Sequence, residues 1–132
     1  MEKIKEEILS ELARLTLPQV LIKQAERFGK RIALREKAYG IWQTYTWEDY
    51  LGYVRATCMG LLSLDLKRGD NIGIVTNNHP EWLFSELGAQ AAGAITVNLF
   101  TSAVSEELAS SLNRIQAAFV FVQDQEQADK LL

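Results

Sequence analysis

The chain has 132 residues, with 14 basic and 17 acidic side chains, one histidine, one cysteine and 48% hydrophobic residues. One domain with a full core is the expectation at this length. The near-balanced charge leaves no basic footprint for nucleic acid, and the single Cys58 excludes an internal disulfide and a cysteine zinc site.

The chain opens "MEKIKEEILSELARL", which is charged and amphipathic, unlike a secretory signal. Ile4, Ile8, Leu9 and Leu12 form a helical stripe over residues 2–14, the mark of a surface helix. No apolar run approaches the ~20 residues of a membrane span. A second helix is expected over 16–29, with Thr16 as cap, Pro18 in the first turn and Gly29 as stop. "RIALRE" and "IWQTYTW" alternate apolar and polar residues around "KAYG", which predicts a β-hairpin. Thr46 and Asp49, three apart, predict a capped helix. Its apolar face runs through Trp47, Tyr50, Leu51, Val54, Cys58, Leu61 and Leu62 to about residue 65.

Beyond "KRGD" the pattern alternates. Strand "NIGIVT" precedes a helix over 80–92, strand "AITVNL", a helix over 104–115 and strand "AFVFV". Continuously apolar strands read as parallel strands covered on both faces. The fold class is therefore α/β: a small, mainly parallel sheet flanked by helices, plus an N-terminal hairpin. "QDQEQADKLL" reads as the start of another helix. Residues 1–15 are expected to form a leading amphipathic helix, and 16–132 part of a domain.

In open α/β sheets, ligands bind beyond the carboxyl ends of the strands. Thr76-Asn77-Asn78-His79, Phe100-Thr101-Ser102 and Gln123-Asp124 lie on that edge. Pro80 suits the first helical position, which makes His79 the cap, and the helix start offers free amides to an anion. Turn and cap residues have these identities anyway, so packing and capping is the plainer account of "TNNHP". Gly88 reads as a close-packing site and Gly93 as a helix stop. Cys58 reads as a buried small hydrophobe, and a Cys58–His79 dyad lacks an orienting carboxylate at recognisable spacing. Glu106 and Glu107 offset a helix dipole. Trp42, Trp47 and Trp82 read as core and edge packing. No phosphate loop, dinucleotide fingerprint or nucleophile elbow is present, so no catalytic residue and no metal ligand is assigned.

The succession "YTWEDY", "LDLKRGDNIGIVTNNHPEWLFSELGAQAAGAITVNLF", "SEEL" and "AAFVFVQDQEQADKL" resembles the N-terminal part of the adenylate-forming (AMP-binding) acyl-CoA synthetases. "ALREKAYGIWQTYTWEDY" and "VQDQEQADKLL" resemble the long-chain fatty acid–CoA ligases in particular. The resemblance implies a cytoplasmic parent enzyme, able to associate peripherally with membranes. Such a parent uses ATP, Mg²⁺ and CoA to adenylate a fatty acid and then form its thioester. The motifs that hold phosphate, adenine and ribose in that family lie farther along than this chain reaches. It implies an inactive N-terminal fragment that binds none of these cofactors tightly. Its expected partners are the remainder of the same polypeptide and, at an unpaired sheet edge, a second copy. In the acetyl-CoA synthetase branch a Phe-Gly-Gly segment lies against the nucleotide part of CoA. Phe100, Thr101 and Ser102 match it, with Thr and Ser in place of the glycines; Val104 also departs from a usual Ser or Thr cap, leaving Ser102 or Ser105 to take that role. The rivals are a stand-alone flavodoxin- or receiver-like binding module and a small cysteine hydrolase.

Overall fold

A computed structural model describes all of residues 1–132. Helix α1 (Glu2–Leu12) buries no residue, and Met1, Ile4, Ile8 and Leu9 remain exposed along its stripe. Glu11 pairs with Lys23 of α2 (Leu17–Phe28). Thr16 caps α2, its backbone N–H donating to Gln19 Oε1 at 2.9 Å.

The hairpin is β1 (Ile32–Ala38) against β2 (Ile41–Thr46), antiparallel, with Ala38 opposite Ile41. The strands reach farther than the sequence pattern suggests, leaving a two-residue turn at Tyr39-Gly40. Both turn residues have positive φ, 52° and 78°, the backbone that matches the right-handed twist of a hairpin. Trp42 is 63% exposed, so its expected packing role does not hold. Helix α3 (Trp47–Ser63) begins in a reciprocal cap. Thr46 Oγ1 accepts from Asp49 N at 3.1 Å, and Thr46 N donates to Asp49 Oδ2 at 2.9 Å. Tyr50, Val54 and Leu61 are buried, but Leu62 is exposed and Cys58 only half-buried, so the apolar face is narrower than the sequence stripe.

Strands β3 (Asn71–Val75), β4 (Ile95–Leu99) and β5 (Phe119–Val122) form a parallel sheet in the order β4-β3-β5. Helix α4 (Pro80–Ala91) links β3 to β4, and α5 (Ser105–Arg114) links β4 to β5. The first crossover steps to one side of β3 and the second steps back past it. Right-handed crossovers in opposite directions put their helices on opposite faces. The packing agrees. Ile72 and Ile74 share a core with Leu61, Leu66, Ala89 and Ala94 on the α3–α4 side. On the other side, a Cβ on Gly73 would lie 2.4 Å from Leu112 Cδ2 of α5, so the glycine lets that helix sit directly on the sheet. Full cover on both faces belongs to β3 alone; the outer strands are half-exposed, with Ile95 56% exposed.

A second core joins the hairpin to the helices. Leu21, Tyr50, Val54, Phe84 and Leu87 pack beneath Ala33, Leu34 and Tyr45. Burial pushes the Tyr50 phenol up to about 12. Gly88 brings α4 against Thr57 of α3, and Gly93 ends α4 with φ 91°, where Ala94 N donates to Ala89 O at 3.0 Å. Val104 caps α5 with no side-chain bond, so neither Ser102 nor Ser105 takes over that role. Helix α6 (Gln125–Asp129) starts at Asp124, whose carboxylate accepts from Gln127 N at 3.0 Å. No helix is long and apolar enough to cross a membrane.

Candidate ligand cleft

The carboxyl ends of β3 and β4 open into a cleft of about 550 Å³. Thr76, Asn77 and Asn78 line one side, and Leu99, Phe100, Thr101 and Ser102 the other. Trp82 and Asn98 complete it. The sheet rule thus finds two of its three segments on one cleft. The third lies at a different gap. In this strand order the point where the connections reverse lies between β3 and β5. There Gln123 Oε1 accepts from Asn77 N at 2.6 Å, which ties the two loops together.

The cleft rim is held by side chains. Thr101 Oγ1 donates to Asn77 Oδ1 at 2.7 Å, bridging the β3 and β4 loops. Lys130 Nζ donates to the Thr101 carbonyl at 2.7 Å. Gln123 Nε2 donates to Asp124 Oδ2 at 2.9 Å. The Asp124 carboxyl is held below its ordinary range, mainly by the Gln127 backbone N–H and then by Gln123. Thr101 therefore supplies anchored rim, while Ser102 is exposed and Phe100 projects at 82% exposure. No charged side chain lines the cleft. It suits a planar, uncharged group with hydrogen-bonding atoms. It does not suit a triphosphate or Mg²⁺, which need cations or clustered carboxylates.

Trp82 and Asn98 escaped the sequence reading as cleft residues. Trp82 sits in the first turn of α4, and its Nε1 donates to Asn98 Oδ1 of β4 at 2.6 Å. A usable signal existed: Thr96 and Asn98 are polar at alternate positions of an otherwise apolar strand.

His79 occupies the cap position of α4, as expected, but its side chain makes no cap bond. Its Nδ1 lies 2.5 Å from Glu36 Oε1 of β1, so the imidazole fastens the hairpin to the start of α4. The carboxylate partner that sequence spacing did not reveal is thus present, 43 residues away. A nucleophile is not: Cys58 lines a separate apolar groove with Pro18, Ile22, Leu51, Met59 and Ala91.

Comparison with known proteins agrees with this architecture. The chain is 29% identical over 118 residues to the long-chain-fatty-acid–CoA ligase ACSBG2 of Rattus norvegicus, covering 89% of this chain and 18% of that protein. It is 25% identical over 130 residues to ACSBG2 of Xenopus laevis, covering 98% of this chain and again 18% of the relative. The chain therefore spans less than a fifth of the length of these relatives. In three dimensions it superposes on the fatty acid AMP ligase from Legionella pneumophila with a TM-score of 0.75 at 17% identity, covering 83% of this chain and 20% of that one. The AMP-binding enzyme family model matches residues 21–132, and the chain belongs to that family.

Proposed function

We propose that this chain is the N-terminal portion of an ATP-dependent long-chain fatty acid–CoA ligase, and that Phe100-Thr101-Ser102 faces the uncharged part of CoA. Family membership and the long-chain-fatty-acid–CoA ligase relatives support the first part. The second rests on the uncharged cleft at the strand ends, with an exposed Phe100 on its rim. ATP and Mg²⁺ would supply activation of the carboxylate, and the residues for that lie outside this chain. What this chain contributes is a surface: Phe100 offers a ring for stacking, while Asn77 and Lys130 hold Thr101 in place. Residues 1–15 form a leading helix, and 16–132 part of a larger domain. On the same reading the longer polypeptide is cytoplasmic and associates peripherally with membranes, its remainder covers this portion's exposed surface, and the portion alone catalyses nothing. A second copy can cover the free β4 edge when that remainder is missing. A flavodoxin-like binding module is less well supported, because the family model and the curated relatives that match are adenylate-forming enzymes.

The test uses Phe100→Ala in the longer polypeptide. At 82% exposure the ring has little packing to lose, so folded yield should hold. Aromatic–base stacking is worth about 1–3 kcal/mol in nucleic-acid-binding proteins, so the CoA Michaelis constant should rise on the order of tenfold. Fatty-acid-dependent pyrophosphate exchange, which uses no CoA, should be unchanged. An unaltered CoA constant in a folded variant would leave the segment as scaffold.

A further inference from the structure

Neither packing nor the CoA edge explains why β4 turns a polar face to α4. By register Thr96 and Asn98 share a face with Ile72 and Ile74, and there they meet Glu86 and Gln90. Glu86 Oε2 accepts from Asn98 Nδ2 at 2.7 Å. Glu86 Oε1 accepts from Thr96 Oγ1 at 3.1 Å and from Gln90 Nε2 at 3.0 Å. The half-buried carboxylate takes its hydrogen bonds from neutral donors alone and joins no ion pair.

Hydrogen-bonding chemistry then fixes Asn98. A carboxylate only accepts, and an indole N–H only donates. The amide nitrogen must face Glu86 and the amide oxygen must face Trp82, as the distances of 2.7 and 2.6 Å describe. Asn98 is exposed and lines the cleft, and its second amide N–H has no acceptor within the protein. We propose that Glu86 is a positioning residue for the cleft. It sets the Asn98 amide so that Trp82 is pinned as a wall and one Asn98 N–H is offered to an acceptor atom on a planar ligand group beside the indole. The ligand assignment rests on the CoA reading above; the relay itself does not.

Glu86→Gln tests the relay at nearly constant volume. A glutamine has one acceptor oxygen and one donor nitrogen. Thr96 Oγ1 can accept as well as donate, as it does from Gln90 Nε2 at 3.3 Å, so the new side chain is free to turn either end to Asn98. The acceptor-only partner that fixed Asn98 is lost, and wherever the new amide nitrogen faces it, Asn98 presents its own nitrogen to the indole, donor against donor. In ¹⁵N spectra of the 132-residue chain, the Trp82 indole N–H, assigned by its loss in Trp82→Phe, should move upfield and exchange faster with water in Glu86→Gln. Asn98→Ala removes the indole's acceptor directly and should give the same displacement if Glu86→Gln folds poorly. An unmoved indole signal in the folded variants overturns the relay. In the longer polypeptide, Glu86→Gln should raise the CoA Michaelis constant by roughly three- to tenfold, one net hydrogen bond. Equal CoA affinity with a displaced indole overturns the positioning role. An unaltered CoA constant in Phe100→Ala of the longer polypeptide contradicts the CoA reading alone, and the indole signal then decides for or against the relay.

Discussion

Gly88→Ala probes the contact on which the three-layer arrangement depends. The position lies inside α4, where an alanine in isolation would be favoured by about 1 kcal/mol over glycine. Here an added Cβ would sit 2.5 Å from Thr57 Cβ, 2.6 Å from Thr57 Cγ2 and 3.1 Å from the Val54 carbonyl oxygen. The two closest of these distances are shorter than real Cβ contacts. Thr57 Cβ is fixed to the α3 backbone, so rotation of a side chain cannot clear it; the helices must separate. Overpacking of this kind costs about 1–3 kcal/mol. A clash anchored on backbone belongs to the upper part of that range, about 2–3 kcal/mol, so after the helix-propensity gain of about 1 kcal/mol the net expectation is a loss of roughly 1–2 kcal/mol. Urea unfolding followed by circular dichroism reads this as a lower midpoint at unchanged slope. In a Thr57→Gly background the same substitution should cost less, because the closest clash is gone, and the double-mutant cycle isolates that coupling. A Gly88→Ala chain as stable as wild type, or more stable, would refute the close α3–α4 contact.

Tyr39 adopts φ 52° in the hairpin turn, where an ordinary side chain is disfavoured, so Tyr39→Asn should raise stability by up to about 1 kcal/mol in thermal melts. Thr46→Ala should lower it by about 1 kcal/mol by opening the α3 cap, measured by the same urea titration. The Asp49 carboxyl is held below its ordinary value by hydrogen bonds from the Thr46 backbone N–H and hydroxyl. Its folded-state value being depressed, its contribution is present above the ordinary carboxylate range and fades as pH falls through the lowered value. The urea midpoints of wild type and Asp49→Asn should therefore converge in acid and diverge toward neutrality. Exposed apolar residues on α1 and the half-covered β4 should make the 132-residue chain associate at high concentration, which light scattering would detect.

What the sequence made legible was what local chemistry dictates. Thr46 and Asp49 announce the α3 cap by spacing alone. Pro80 and Gly93 bound α4, and the apolar run in "NIGIVT" identifies β3, the one strand covered on both faces. The misses have non-local causes. The hairpin turn is shorter than the sequence pattern suggests because the positive φ of Tyr39 is imposed by strand twist, which residue type does not disclose. Val104 stands at the α5 cap without a side-chain bond, against capping preference. At the cleft, strand ends were readable as an edge, but Trp82 reaches it across 16 residues to Asn98, and His79 finds Glu36 across 43. Such pairs depend on how β3, β4 and the hairpin stack, and only tertiary packing brings them together.

The most direct test of the proposed function is fatty-acid-dependent ATP–pyrophosphate exchange. It should be measured in parallel on these 132 residues and on the polypeptide obtained by extending the same reading frame to the length of its relatives. The account predicts exchange that requires a long-chain fatty acid in the longer polypeptide, followed by thioester formation when CoA is added, and none in the 132-residue chain. Exchange by the 132-residue chain that survives repurification, or a folded longer polypeptide that activates no fatty acid, would contradict it.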